Sequence, residues 1–128
     1  MEVKVEEIMK SPVATCILES DVGKVRDLMR QRGFSAIPIV QIKGEQILIR
    51  GIVTNNDLIG AFDDNVPIKQ VMTHGVYMVD PEADVQEAAK LMLHHKVHHL
   101  LVIKETRIVG MLSSLDFVRM VATAKYTV

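Results

Sequence analysis

The feature that most constrains the fold is a stretch of eight residues, 51–58, because a chemically similar stretch recurs at 110–117. Each copy contains a glycine, two apolar residues, a hydroxyl residue and, three positions after the hydroxyl, an aspartate. The hydroxyl and aspartate pairs are Thr54 with Asp57, and Ser113 with Asp116. Such self-similarity indicates that one supersecondary unit is used twice. The chain is therefore predicted to be a duplication.

The repeat also extends upstream, but in a different register. Met9 corresponds to Met72 and Asp21 to Asp84. The members of these pairs are 63 positions apart, whereas the equivalent positions of 51–58 and 110–117 are 59 positions apart. The second repeat must therefore be shorter than the first between these two matches. The extra residues of the first repeat are expected within 41–50, where a hairpin turn is predicted at Lys43-Gly44-Glu45. The sequence thus predicts one repeat over residues 1–65 and a second over 66–128, folded together as one compact module.

Apolar spacing and turn residues predict the same order of elements in each repeat. In the first repeat we expect a short helix at 5–9, a strand at 14–17, a helix capped by Asp21 and ended by Gly33, strands at 37–42 and 46–53, and a helix at 56–62. In the second we expect a short helical segment at 68–72, a strand at 76–79, a helix at 84–95, strands at 100–103 and 107–112, and a helix at 114–124. The predicted fold class is α/β, of the α+β type.

Composition excludes several functions. The chain has 128 residues with 15 Lys and Arg against 16 Asp and Glu, so it lacks the basic surface that nucleic-acid binding requires. No apolar run approaches membrane-spanning length. The single Cys16 cannot form an internal disulfide, and the N-terminal residues do not resemble a signal peptide. These features predict a soluble protein of the cytoplasm.

Three pairs of matching segments, in the same order in both halves, resemble those of a known family, the tandem cystathionine-β-synthase domain, also called the CBS pair or Bateman module. The resemblance covers about Val5 to Ala122. The matching segments are 8–12 with 71–75, 34–40 with 97–103, and 51–58 with 110–117.

The resemblance implies two β-α-β-β-α repeats packed through their sheets about a pseudo-twofold axis, which leaves two equivalent clefts. It also implies a regulatory module that binds adenine nucleotides, AMP, ADP or ATP, or a related adenosine ligand such as S-adenosylmethionine. No obligatory cofactor and no catalysis are expected. A homodimer formed through apolar helix faces and an unidentified regulated protein are the implied partners.

The hydroxyl and aspartate pairs suit a nucleotide on chemical grounds. A carboxylate has two acceptor oxygens for the two vicinal hydroxyls of a ribose, and a hydroxyl beside a helix N-terminus favours a phosphate. Gly51 and Gly110 would let a ligand or a neighbouring strand approach the backbone. The alternative is structural: Thr54 and Ser113 are helix N-caps, and the two aspartates accept hydrogen bonds from first-turn amides.

The resemblance further implies that each cleft is shared between the repeats. One cleft would combine Ser113 and Asp116 with Ala14, Thr15, Ser35 and Ala36. The other would combine Thr54 and Asp57 with Tyr77, Met78, His98 and His99. In this second cleft a partly protonated His98 or His99 could contact phosphate, so that binding weakens as pH rises, and Tyr77 could pack on a base. Mere surface polarity is the alternative for both histidines.

Two further clusters carry weaker signals. Four histidines within 94–99 suggest a metal, but the helix should end near Lys96 and no Cys or carboxylate completes a ligand set, so no metal site is predicted. The two histidines at the end of the helix are expected to be solvated. Arg30 and Arg32 lie where cations stabilise a helix C-terminus, which explains them without a phosphate.

Two other function classes remain to be compared with a ligand sensor. No nucleophile with a base and no phosphate loop is present in the sequence, which argues against an enzyme. The alternative to a sensor is a dimerisation scaffold with degenerate clefts, because the two repeats have diverged from one another: Pro38 corresponds to Leu101, and Pro12 to Gly75.

Overall fold

The computed structural model describes residues 2–124 and consists of two compact units. Unit 1 contains the chain up to Val13 and again from Tyr77 onward, and unit 2 is Ala14–Val76. These spatial units do not coincide with the sequence repeats 1–65 and 66–128, since the N-terminal segment packs with the second repeat. The Val5 amide donates to the Ala83 carbonyl at 2.9 Å, and Lys10 forms a β-bridge with Met111.

Unit 2 has the predicted order of elements, strand, helix, strand, strand, helix. They are β1 (Cys16–Ile17), α2 (Val22–Arg32), β2 (Ala36–Lys43), β3 (Gln46–Thr54) and α3 (Asn55–Ile59), followed by a 3-10 turn at Ile68–Gln70. The three strands form one sheet in the order β1-β2-β3, in which β1 and β2 are parallel and β2 and β3 antiparallel.

Unit 1 repeats this arrangement. A short helix, α1 (Val5–Ile8), comes from the N-terminal segment, and the rest is β4 (Met78–Val79), α4 (Val85–His95), β5 (His99–Lys104), β6 (Arg107–Ser113) and α5 (Ser114–Thr123). The sheet order β4-β5-β6 has the same parallel and antiparallel pairs as unit 2. The predicted α/β class and the predicted β-α-β-β-α order are confirmed in both units.

The ends of the two long helices follow from local chemistry. The Asp21 carboxylate accepts the Lys24 amide at 2.9 Å, so Asp21 is the N-cap of α2 as predicted. The Asp84 carboxylate accepts the Gln86 amide at 2.7 Å, so Asp84, which was predicted to be the first residue of its helix, is the N-cap of α4. Gly33 ends α2 in the left-handed conformation, with φ of 68°. No helix within residues 2–124 is long and apolar enough to cross a membrane.

Several elements are shorter than their predictions. The first strands of the two units, β1 and β4, have two residues each instead of four, and α3 ends at Ile59 instead of 62. Arg26 contributes to the early end of α3, because its guanidinium donates to the backbone carbonyls of Leu58, at 3.3 Å, and Ala61. The Leu58 carbonyl also accepts the Ala61 amide at 3.2 Å, so a tight turn at the C-cap Gly60 and the Arg26 contacts together end the helix. Phe62, beyond this turn, is 92% exposed.

Each unit has its own apolar core between its sheet and its long helix. In unit 2 the helix contributes Val22, Val25 and Met29, which pack with Ile37, Ile39 and Val53 of the sheet. In unit 1 the equivalent residues are Ala88 and Met92 of the helix and Leu100, Val102 and Leu112 of the sheet, with Val5 from α1. Val53 and Leu112 anchor the ends of β3 and β6 in these cores. The predicted hydroxyl residues follow directly, where β3 turns into α3 and β6 into α5.

Candidate functional site

The two hydroxyl residues occupy the same structural position in the two units. Thr54 is the last residue of β3 and the N-cap of α3, and Ser113 is the last residue of β6 and the N-cap of α5. Both have extended backbone angles, as an N-cap requires. The duplicated sequence thus gives a duplicated junction, in which an edge strand turns directly into a helix.

At the first junction Thr54 and Asp57 form a reciprocal capping box. The Asp57 Oδ2 accepts the Thr54 amide at 2.9 Å, and the Asp57 amide donates to the Thr54 hydroxyl at 3.3 Å. The exposed Thr73 hydroxyl lies 3.0 Å from the other carboxylate oxygen, Oδ1. The same hydroxyl lies 3.1 Å from Oδ2, so Oδ1 is the oxygen of this half-buried carboxylate that takes no part in capping the helix.

At the second junction the capping box is the same but its surroundings differ. The Asp116 Oδ2 accepts the Ser113 amide at 2.8 Å, and its Oδ1 forms an ion pair with Arg119 at 3.0 Å. The residue is only 4% exposed. Both oxygens are thus engaged by the unit itself, and a ligand would have to displace a guanidinium. The structural interpretation of the two pairs as N-caps is confirmed at both junctions.

The two glycines are approached by the polypeptide of their own unit. A Cβ added at Gly51 would lie 2.8 Å from the Thr73 carbonyl oxygen, and one added at Gly110 would lie 3.1 Å from the Lys10 carbonyl oxygen. Ordinary contacts to a Cβ begin near 3.4 Å. The glycines were predicted to allow either a ligand or a neighbouring strand to approach the backbone. The approach of a neighbouring segment is enough to explain why glycine occupies both positions.

Unit 2 contains four of the other predicted site residues, and it brings two of them to the first junction. Ala36 pairs with Thr54 across the sheet, and the Ser35 carbonyl accepts the Asn55 amide at 3.1 Å. Ser35 is exposed and Ala36 is buried. Ala14 and Thr15 instead precede β1, and β2 separates β1 from β3 in the sheet.

Unit 1 likewise brings its two predicted histidines to the second junction. His99 pairs with Ser113 across the sheet, and the His98 carbonyl accepts the Ser114 amide at 2.9 Å. Tyr77 precedes β4 and Met78 is its first residue, and β5 separates β4 from the β6 strand that leads into the second junction. Met78 is 46% exposed. The predicted combination of residues from different repeats stays a prediction.

The aromatic and histidine side chains differ from their predicted environments. The Tyr77 ring stacks on His95, with centroids 3.8 Å apart and planes 14° from parallel, so His95 is not a freely solvated helix residue.

Burial lowers the pKa of His99 below its ordinary value of 6.5. The neighbouring His98 lowers this pKa further, and Asp116 opposes the shift. His99 is therefore neutral at pH 7 and would act there as a hydrogen-bonding group. Within residues 2–124 no group of three or more metal-ligating side chains occurs.

Three partners of the site were not identified from sequence. Arg119 follows Asp116 by three residues on α5, a spacing at which an ion pair can form on a helix, so the sequence did carry a signal for it. Thr73 is distant from Asp57 in the chain, and nothing local connects them. The stacking of His95 on Tyr77 likewise depends on how α4 packs near β4.

Comparison with known proteins identifies relatives along almost the whole chain. The family model described as "CBS domain" matches twice, at residues 5–64 and 68–123. Inosine-5'-monophosphate dehydrogenase of Korarchaeum cryptofilum is 32% identical over 114 residues, which are 88% of this chain but only 23% of that enzyme. The CBS domain-containing protein YhcV of Bacillus subtilis is 25% identical over 85% of this chain and 79% of its own length.

A solved structure shows the same fold. The CBS domain pair of protein MJ0100, crystallised with 5'-methylthioadenosine and S-adenosyl-L-methionine, superposes with a TM-score of 0.86. The alignment covers 98% of this chain and all of that one, at 21% sequence identity. At this identity the likeness establishes the architecture, while the ligands belong to that protein.

Proposed function

Since the chain belongs to the CBS domain family, with one domain at 5–64 and another at 68–123, we propose that it is a regulatory module that binds an adenosine ligand. The ligand class is an adenine nucleotide, AMP, ADP or ATP, or S-adenosylmethionine. Support comes from the duplicated junctions and from the fold-level likeness to a CBS pair that was crystallised with two adenosine compounds. The match to the dehydrogenase spans only about a quarter of that enzyme.

The proposal rests on how the two oxygens of Asp57 are used. Oδ2 caps α3 and also lies 3.1 Å from the Thr73 hydroxyl, whereas that exposed hydroxyl, at 3.0 Å, is the only partner described for Oδ1 within residues 2–124. A ribose hydroxyl presents the same chemistry as the Thr73 hydroxyl and can replace it without uncapping the helix. Asp57 is therefore the better of the two carboxylates for ribose.

Asp116 is the weaker candidate for the same chemical reason. Replacing its partner Arg119 with a ribose hydroxyl would exchange an ion pair for a hydrogen bond from an uncharged donor. We propose that the two junctions are unequal and that Asp57 dominates binding. The remaining predicted contacts, residues 14–15, 35–36, 77–78 and 98–99, belong to the same proposal.

Isothermal titration with AMP, ADP, ATP and S-adenosylmethionine tests the proposal. Asp57→Asn keeps one acceptor oxygen for the Thr54 amide but replaces the other with an amide group, so the helix stays capped while the acceptor for the ribose hydroxyl is lost. We expect at least tenfold weaker binding, which corresponds to about 1.4 kcal/mol. Asp116→Asn should weaken binding less.

The matched control is Asp27→Ala, which removes an exposed carboxylate of α2 that has no described bond. Its affinity should equal that of the parent. Heats equal to dilution for all four compounds would contradict the sensor function, and equal affinities for the parent and Asp57→Asn would contradict the role of Asp57.

A second candidate function, a dimerisation scaffold, is favoured by one surface. Leu115, Val118 and Val121 follow one another at three-residue spacing on α5, and each is more than half exposed. Such a stripe on one side of a helix is typical of a face that packs against another chain. Sedimentation velocity of the parent and of Val118→Glu tests it: a dimer that dissociates in the variant supports a homodimer through α5, and a monomeric parent contradicts it.

A further inference from the structure

A pocket of about 460 Å³ opens in unit 2 between the C-terminal half of α2, the turn that follows it, and α3. Its volume lies in the range of small-molecule sites. Thr54 and Asp57 do not line it, and it shares only Ser35 with the predicted adenosine contacts. It is therefore a separate candidate site that the proposed function does not use.

The charge of this pocket is positive. Arg26 and Arg30 line it from successive turns of α2, and no acidic residue is among its lining residues. Arg26 is held in place by an ion pair with Asp64 and by the carbonyls at the end of α3. Arg30 is exposed and makes no ion pair or hydrogen bond described for residues 2–124. The pocket thus has one anchored and one available guanidinium.

Several of the other residues that line the pocket are apolar. Met29 and Leu58 are buried within the core, Phe34 is half-buried, and Ile59 is 72% exposed. An exposed isoleucine at the mouth of a pocket gains stabilisation when an apolar group covers it. A molecule that satisfies both the cationic and the apolar lining of the pocket must carry a negative charge and an apolar body.

We propose that this pocket binds a small amphipathic anion, with its carboxylate, sulfonate or phosphate on Arg30 and its aliphatic or aromatic body against Phe34 and Ile59. A planar guanidinium binds each of these anionic groups through two parallel hydrogen bonds. The pocket is independent of Asp57, so the two sites can be tested separately.

The test uses 1-anilinonaphthalene-8-sulfonate, an aromatic sulfonate whose fluorescence rises on transfer to an apolar site. We expect saturable binding of one molecule per chain to the full-length protein. Arg30→Ala should weaken it at least tenfold, because the charge-assisted hydrogen bonds from the guanidinium are lost. Ile59→Ser should weaken it too, because it removes the exposed apolar wall without touching the core.

Two matched controls lie outside the pocket. Arg32→Ala removes the same charge from the same helical turn, and Ile42→Ser removes an isoleucine with 61% exposure from β2. Both should bind the probe as the parent does, and all variants should keep the parent circular dichroism spectrum. Equal affinities for Arg30→Ala and Arg32→Ala, or no saturable binding, would overturn the proposal.

Competition separates this site from the adenosine site. Asp57→Asn should bind the probe normally, and AMP should not displace it. If Asp57→Asn lost both ligands, or if AMP displaced the probe, the two sites would be one and the proposal would be overturned. Failure of adenosine binding with intact binding of the probe would instead count against the proposed function alone.

Discussion

Replacing Gly51 with alanine tests the packing of the first junction directly. The new Cβ would lie 2.8 Å from the Thr73 carbonyl oxygen and 2.7 Å from the Met72 sulfur, so the backbone at Thr73 must move by about half an ångström to reach ordinary contact at 3.4 Å. That backbone is paired with Ile52 by two hydrogen bonds, of 2.9 and 2.8 Å. The substitution therefore strains a packed contact and a backbone bridge together.

The expected cost follows from these contacts. Overpacking costs about 1–3 kcal/mol, and weakening one or two backbone hydrogen bonds costs about 1 kcal/mol each. The lower entropy of the unfolded alanine chain offsets roughly 0.5 kcal/mol. We expect Gly51→Ala to lower the free energy of unfolding by about 2–4 kcal/mol. Urea unfolding followed by circular dichroism, without any ligand, measures it.

Two further glycines serve as comparisons. Gly60 has no atom within 4 Å of an added Cβ and a φ of −91°, so Gly60→Ala should be neutral or slightly stabilising. At Gly110 the Met9 sulfur is the closest atom and can rotate away, and the Lys10 carbonyl oxygen is 3.1 Å distant, so the cost should be about 1–2 kcal/mol. A Gly51→Ala protein that is as stable in urea as Gly60→Ala would refute the reasoning.

Three other predictions concern individual side chains. Asp116→Asn should cost more stability than Asp57→Asn, by about 1–2 kcal/mol in urea unfolding, because Asp116 is buried and pairs with Arg119; equal costs would contradict this. The lowered pKa of His99 means that the unfolded chain takes up a proton first as pH falls through 6.5, so stability should fall from pH 7.5 to 5, and less steeply in His99→Gln. Burial raises the pKa of the Cys16 thiol, opposed by Lys24, so Ellman's reagent should react slowly in native protein and fast in urea; rapid native reaction would refute its burial.

The sequence predicted the elements well where the signal was local. Asp21 was identified as an N-cap and Gly33 as a helix end because each acts on backbone groups close to it in the chain. The duplicated hydroxyl and aspartate spacing predicted both capping boxes for the same reason. The CBS resemblance is confirmed by matches over both repeats.

The sequence predicted less well where distant segments meet. The assignment of the N-terminal segment to unit 1 rests on hydrogen bonds from Val5 and Glu6 of α1 to carbonyls of the second repeat. The early end of α3 depends on Arg26, which belongs to a different helix, much earlier in the chain than the carbonyls that it contacts. No spacing rule within one element reports such contacts.

The sequence by itself determined the duplication, the order of strands and helices, and the placement of a hydroxyl and a carboxylate at each junction, because periodicity and capping are short-range properties of the chain. The tertiary structure alone decided how deeply each carboxylate is buried and that Thr73 reaches Asp57. Thr73 meets Asp57 through the bridge to Ile52, whereas Asp116 is buried beside Arg119, its neighbour on the same helix. Two nearly identical motifs thus acquire different chemistry, because the burial of each carboxylate and the approach of Thr73 to Asp57 depend on packing between segments that are distant in sequence.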